Sequence, residues 1–304
     1  MTSLEAIGFG ALNVDRLYKV NRIAGKDEES FVITSKESSG GSAANTIVGL
    51  ARLGVRTGFI GKIADDQEGK RLLKDLESEN VDPIGITITK SGHSGIVMGF
   101  VDKSGERALY VAPGVNDTLS FEEIPIRNLD AAQLLHLTSY VAQRPFDSQN
   151  KILQKLSKDV KVSLDPGMLY AKRGLNYLRP LLQRTNIFLP NQAELKLLTG
   201  LEYENGAQEL LVEGVQIVGV KLGKKGCFIT NGEEKHVLKP YETSVVDTTG
   251  AGDAWNAGFL YGILKKENLV ECGKIANFVA SRCITEMGAR NGLPIHSDLS
   301  LLQK

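Results

Sequence analysis

The chain has only three cysteines in 304 residues, one tryptophan, and no net charge. Cys227, Cys272 and Cys283 make an odd count with no CxxC pair, which argues against a disulfide framework and suits a reducing cytoplasm. Thirty-six basic residues balance thirty-six acidic ones. No global field therefore draws the chain to nucleic acid or to an anionic membrane, although a local basic cleft could still hold a phosphate. Glu5 stands where a signal peptide would need basic residues, and no apolar run approaches the roughly 20 residues of a membrane span. A cytoplasmic location is the expectation.

Several familiar motifs are also missing. There is no GxxxxGK[ST], no HRD with DFG, and no HExxH. GFGALN begins like a dinucleotide fingerprint but places Asn13 where the third glycine belongs, and GGSAA and GHSGI miss the GxSxG spacing. These absences weigh against P-loop and protein-kinase architectures, NAD enzymes, serine hydrolases and zinc proteases.

What is present is an ordinary globular composition, 42% hydrophobic, long enough to bury a large core. AIGFGALNVD reads as a buried strand entering a loop. GGSAANTIVGLARLG follows as a helix, with Ser42 as candidate cap, Ala44, Ile47, Val48 and Ala51 at helical spacing, and Gly54 as stop. From Ile84 to Ala112 short strands alternate with SGH and KSGE turns and no helix. Beyond them LLHLTS, VKVSLDP, NIFLPN and VQIVGVKLG alternate with helical stretches, the pattern of a parallel sheet covered by helices. Helices are expected over 251–264 and 270–286. No repeat or linker divides the chain, so 1–304 reads as one α/β unit. Clean alternation near 28–36 and 94–112 predicts a small second sheet projecting from it as a lid, a dimer surface, or both.

VVDTTGAGDAWNAGFLYGIL is the most informative stretch. A strand ends in acidic and hydroxyl residues, and a glycine pair leads into a helix. Gly250 and Gly252 let backbone N–H groups approach a phosphate, and the helix N-terminus adds partial positive charge. Asp253 would repel that phosphate, yet it would serve well as a base for an attacking hydroxyl. An acidic residue there could also merely favour the helix dipole.

The two stretches GGSAANTIVGLARLG and DTTGAGDAWNAGF, with the upstream GALNVD, resemble the two signatures of the ribokinase-like, or PfkB, carbohydrate and nucleoside kinases. The resemblance covers nearly the whole chain. It implies a three-layer α/β fold, a mostly parallel central sheet flanked by helices, with lid strands from about 10–36 and 94–114. It implies ATP as co-substrate, Mg²⁺, and transfer of the γ-phosphoryl group to a primary hydroxyl of a carbohydrate. A nucleoside kinase is the alternative within the family, and a non-catalytic sugar- or nucleotide-binding protein the alternative outside it. Asp253 falls on the catalytic base and Gly250, Ala251 and Gly252 on the anion hole. Asp15, Gly41 and Asn45 fall on sugar-hydroxyl positions, though a loop cap, a turn and a polar helix surface would explain them separately. Asn191 and Glu194 in FLPNQAELKLLTG match an NxxE pair that organises Mg²⁺ through water, a spacing that is also a common capping box. Lys221, Gly223 and Gly226 match nucleotide-binding positions, and Asn277 falls near the adenine wall.

The departures bear on the substrate. Ser42 replaces the lysine of ribokinases proper, Ser139 stands where they place a sugar-binding glutamate, and Lys221 stands where many relatives carry threonine. Ile96, Met98 and Phe100 share a face that could form a ceiling over a nucleobase, or simply be the packed face of the lid. Asp247 and Thr249 match part of a monovalent-cation site, giving a K⁺ expectation that Gly292, in place of a serine ligand, weakens. Relatives often pair through the lid sheet, so a homodimer is expected.

Overall fold

A computed structural model describes residues 4–104, 106–126 and 129–303, the side chain of 303 excepted. The chain opens with β1 (Ala6–Phe9), β2 (Asn13–Val20), β3 (Val32–Gly40), α1 (Ser42–Arg52), β4 (Thr57–Ala64), α2 (Gln67–Ser78) and β5 (Val81–Thr89). Next come β6 (Gly95–Val101), β7 (Arg107–Ala112), β8 (Leu134–Thr138), α3 (Gln143–Lys155), β9 (Lys161–Asp165), α4 (Gly167–Ala171) and α5 (Leu175–Leu182). It closes with β10 (Ile187–Phe188), α6 (Gln192–Thr199), α7 (Tyr203–Val212), β11 (Ile217–Lys221), β12 (Cys227–Thr230), β13 (Lys235–Leu238), α8 (Ala251–Leu264) and α9 (Leu269–Cys283).

Nine strands form the central sheet in the order β13-β12-β11-β10-β9-β8-β1-β4-β5. All its pairs are parallel except β11 with β12 and β12 with β13. The expected three layers follow from where the apolar residues lie. One core packs α1, α2, α8 and α9 on one face of the sheet, and a second packs α3 to α7 on the other. From β1 the chain first builds toward β4 and β5 and then crosses back to β8, so the order reverses between β1 and β8. Crevices at such reversals, at the carboxyl ends of the strands, are where open α/β sheets bind ligands.

The small sheet has the order β3-β2-β6-β7. Its strands run over 13–20, 32–40, 95–101 and 107–112, so the third-strand boundary lies four residues past the expected 36. The KSGE turn includes Gly105, which lies outside the described residues. β5, read from the sequence with the short alternating strands, instead forms the edge of the central sheet beside β4. Two ties root the small sheet. Asp66 at the head of α2 accepts the Ser94 amide (2.8 Å) and hydroxyl (2.6 Å), and Arg16 on β2 bridges Glu37 (2.7 Å) and Glu68 (2.8 Å).

Two helix boundaries differ from expectation. Gly41, not Ser42, caps α1, at φ 111° and with no side-chain cap; a Cβ on it would meet the Ala11 carbonyl at 2.2 Å. The final long helix begins at Leu269 and ends at Cys283. Asn268 caps it by accepting the Glu271 amide.

Helix α8 is packed at backbone range on two sides. A Cβ on Gly258 would lie 2.7 Å from Ala276 Cα, and one on Gly262 would lie 2.9 Å from Cys272 Cα, both on α9. On the opposite side a Cβ on Gly49 of α1 would lie 2.7 Å from Ala257 Cβ. Gly258→Val should therefore destabilise the protein by about 2–3 kcal/mol through overpacking against backbone that cannot move aside. A urea titration checks this; a midpoint unchanged from wild type would refute it.

Candidate active site

The N-terminus of α8 lines the larger of two cavities and bonds to a lining residue, Ser42, of the smaller. One, about 180 Å³, opens between the small sheet and the carboxyl ends of β1 and β8. Asn13, Ser42, Val97, Val111, Ser139 and Leu169 are among its lining residues. The other, about 410 Å³, lies over the glycine turn after β11 and takes in Lys221, Gly223, Gly226, Ala251, Gly252, Trp255 and Asn277.

Asp253 joins them. It is in the first turn of α8. Ser42, on the wall of the smaller cavity, donates to Oδ1 at 2.5 Å, and Asn45 Nδ2 donates to Oδ2 at 2.9 Å. Thr46 holds the backbone by donating to the Asp253 carbonyl at 3.2 Å. Burial raises the carboxyl to about 6 and nearby Asp165 adds to this, while the Ser42 and Asn45 bonds and Lys221 oppose the rise. A group that titrates near neutrality suits proton transfer at physiological pH.

Gly250 makes the sharp entry into α8. It is left-handed (φ 75°), and a Cβ would stand 2.5 Å from Ala289 Cβ. The Ala251 amide turns back to the Thr248 carbonyl, whereas the Gly252 and Asp253 amides make no backbone bond to this loop. They are the open donors expected of a helix start.

Beneath this turn lies a buried charge network. Lys221 Nζ contacts Asp165 Oδ2 at 2.6 Å and Asn256 Oδ1 at 3.2 Å, and Asn256 Nδ2 reaches the same Asp165 oxygen at 2.6 Å. Burial alone would raise Asp165, yet Lys221 and the bonds it receives hold it below the usual carboxylate range. Burial works against the Lys221 ammonium, and its carboxylate neighbours outweigh that, raising its pKa. A Cβ added to Gly252 would lie 3.7 Å from Nζ, so this ammonium sits directly under the open amides.

Asn191 and Glu194 form a complete capping box at the start of α6, with bonds of 2.8 and 2.9 Å. The same Glu194 faces the network. Burial and the Asp165 charge raise it to about 7, and its Oε1 takes no hydrogen bond from the described residues. Asp15, on β2, is raised to about 7, first by burial and further by Asp253, with Arg290 acting against the rise. Asp247 Oδ1 accepts the Thr249 amide and hydroxyl, and Oδ2 accepts the Gly288 amide. Those bonds tie two loops and fill most of the carboxylate's acceptor capacity.

The predicted residues thus converge, with corrections in detail. Gly250, Ala251, Gly252 and Asp253 form the helix start, and Lys221, Gly223, Gly226 and Asn277 all line the larger cavity. Ser139 lines the smaller one; Asp15, Gly41 and Asn45 are not among its lining residues, and Asn45 is linked to it through Asp253 and Ser42. Asn277 has no side-chain donor or acceptor turned to a ligand: Oδ1 takes Trp255 Nε1 at 2.9 Å and Nδ2 reaches the Lys239 carbonyl at 2.9 Å. It is a wall brace. Ile96, Met98 and Phe100 face away from the smaller cavity, because Val97 and Val111, of opposite parity, line it; Phe100 instead stacks on Tyr18 at 5.2 Å. Sequence reasoning missed Asp165, Asn256 and Arg290. Asp165 had a readable signal, an acid at the carboxyl end of a parallel strand; the other two had none.

Comparisons with known proteins agree with this geometry. The model of the pfkB family of carbohydrate kinases matches residues 3–296. An uncharacterized sugar kinase of Archaeoglobus fulgidus is 47% identical over 247 residues, 81% of this chain and 98% of its own length. An ATP-dependent ribose-1-phosphate kinase of Halopiger xanaduensis is 32% identical, over 95% of this chain and 94% of its own. The crystal structure of ribokinase from Thermotoga maritima superimposes with a TM-score of 0.88 at 26% identity, covering 99% of each chain.

The raised carboxyls have a measurable consequence. Asp15 at about 7 in the folded state binds a proton that the unfolded chain, with an ordinary carboxyl, has lost above pH 4–5. Its contribution to stability therefore falls as pH rises from about 5 to about 8. Asp15→Asn removes that loss, so its stability relative to wild type should improve over this interval by on the order of 1–3 kcal/mol. Urea unfolding of both proteins at the two pH values measures the difference, and a difference independent of pH would refute it.

Proposed function

We propose that this chain, which belongs to the pfkB family of carbohydrate kinases, transfers the γ-phosphoryl group of ATP to a primary hydroxyl of one monosaccharide. The observation that carries the reading is the position of Asp253, a buried carboxyl near 6 that bonds Ser42 on the wall of a small cavity under the lid sheet and follows Ala251 and Gly252, which line a larger one. The acceptor binds in the first and ATP in the second, and the whole of 1–304 acts as one kinase unit.

Asp253 takes the proton of the acceptor hydroxyl. Ser42 donates to Oδ1 from the wall of the smaller cavity; the acceptor hydroxyl takes that place, and Asn45 keeps its bond to Oδ2. The Gly252 and Asp253 amides at the helix start hold the charge on the transferring group, and the Lys221 ammonium adds to them from below. Positioning and fixed electrostatics supply most of the acceleration in such transfers. The residues fit Mg²⁺: Glu194 keeps one oxygen open beside Asp165 and Asp253, where negative charge exceeds what Lys221 balances, and hard oxygen ligands orienting the metal's waters are what Mg²⁺ prefers. Mg²⁺ bound there with ATP would neutralise phosphate charge. We assign no step to a monovalent cation, since Asp247 spends its oxygens on protein donors.

The smaller cavity favours a sugar over a nucleoside. At about 180 Å³ it is well below the roughly 300–1,000 Å³ of pockets for drug-sized ligands. It suits one sugar ring better than a ring carrying a base. A homodimer through the small sheet is part of the reading, since its edge strand β7 leaves Leu109, Tyr110 and Val111 each about half exposed, an uncovered apolar edge that a second copy would protect. No helix of the described residues is long and apolar enough to cross a membrane, and action in the cytoplasm is the matching expectation.

Asp253→Asn should lower kcat by about 10²- to 10⁴-fold with ATP affinity nearly unchanged. A coupled ADP-release assay over a panel of sugars and nucleosides tests both this and the acceptor class. Wild-type turnover in the variant, or a clear preference for nucleosides in the wild type, would overturn the respective half. Sedimentation should show a dimer; a fully active strict monomer would remove that part of the reading.

A further inference from the structure

Arg290 lies in the loop after α9 and is only 8% exposed. Its guanidinium is divided among different elements. Nε donates to Asn45 Oδ1 at 2.8 Å, Nη1 is ion-paired with Asp75 on α2, and Nη2 is buried with no partner among the described residues. The Arg290 carbonyl accepts Arg52 Nη1 at 2.6 Å, and Arg52 in turn grips Glu79 through two bonds of 2.8 and 2.6 Å. Both the backbone and the head of Arg290 are therefore fixed by α1 and α2.

A guanidinium can only donate. Asn45 must then turn its oxygen to Arg290, which leaves its amino group for Asp253. An asparagine amide is otherwise free to sit either way round, and the reverse orientation would set its oxygen against the Asp253 carboxylate. Asn45 is also 5% exposed, so losing a partner would leave its amide buried and unpaired.

We propose that Arg290, braced by Asp75, is a positioning residue for phosphoryl transfer: it locks Asn45 with its amino group on Asp253. The proposal rests on the reading of Asp253 as base. The charged and titratable groups that face Asp253 are Asp15 from β2, Asp165 from the end of β9, Glu194 from α6, Lys221 from β11 and Cys283 from α9. Arg290 faces Asp15. Lys221 is committed to Asp165, whereas Arg290 is committed to Asn45 and Asp75.

The test is steady-state kinetics across pH on the intact enzyme. Arg290→Met should lower kcat about 10- to 100-fold with KM for ATP little changed, because the base loses a fixed donor while the nucleotide cavity is untouched. Loss of the fixed Asn45 donor, whose bond holds the Asp253 carboxyl down, should also move the acid limb of kcat/KM to higher pH. Arg290→Lys keeps a charged donor for Asn45 without the fork, so its limb should stay near wild type with an intermediate kcat. Asp75→Asn should reproduce part of the kcat loss from α2. A residue that served folding alone would lower the melting temperature and leave kcat per folded molecule and the limb in place; that result in Arg290→Met overturns the proposal. Should Arg290→Met fail to fold, wild-type kcat and limb in both Arg290→Lys and Asp75→Asn overturn it equally. Asp253→Asn in parallel separates the readings: wild-type turnover there defeats the base assignment, whereas an inactive Asp253→Asn beside an unaffected Arg290→Met defeats this proposal alone.

Discussion

The approach of α8 to its neighbours at backbone distance sets the rest of the site. Gly258 and Gly262 seat the helix on α9, and Gly49 lets α1 close on Ala257. With both contacts made, the N-terminus of α8 has no freedom to slide, and Asp253 meets Ser42, Asn45 and Thr46 of α1 together. A catalytic geometry built on two helices tolerates little error. Removing side-chain volume at the contact lets the backbones themselves set the spacing.

That geometry gathers four carboxyls, Asp15, Asp165, Glu194 and Asp253, around two buried cations, Lys221 and Arg290. Unequal pairing gives them different chemistry. Asp165 takes the closest contact with Lys221 and remains ionised, a structural anion. Asp253, Asp15 and Glu194 receive weaker compensation and rise toward neutrality. Environments that push like groups apart in this way separate acid–base roles from structural ones. Lys221 and Asp165 also explain each other, since either alone at this depth would be an uncompensated charge.

The small sheet shows what strand alternation can and cannot say. Period two separates Ile96, Met98 and Phe100 from Val97 at once. Nothing in the pattern says which set faces the crevice, because both are apolar. The root of the sheet decides it: Asp66 fixes Ser94, and Arg16, on the same face as Met98, is drawn to Glu68 of α2. The other face is left for the ligand.

Much was legible in the residues themselves. The glycine turn at Gly250–Gly252 marked the helix start, and the bounds at Ala251 and Leu264 agree with the helix observed; the strand read just before it is absent, because residues 239–250 run as loop after β13. The alternation of apolar strands with helical stretches was enough for the parallel sheet, because local period and turn chemistry are encoded over a few neighbouring positions. The capping box at Asn191 and Glu194 was equally local. Arg290 was beyond such reading. It lies 245 positions from Asn45 and 215 from Asp75, and a single arginine in GARNGLP carries no periodicity. Asn277 shows the converse, since its position was readable while its commitment to Trp255 and the Lys239 carbonyl was not. Sequence determines which segments become strand, turn and helix because those preferences act at short range. Which buried charges meet, and which face of a sheet looks inward, is decided only when distant segments pack, because burial and charge pairing depend on spatial rather than sequential neighbours.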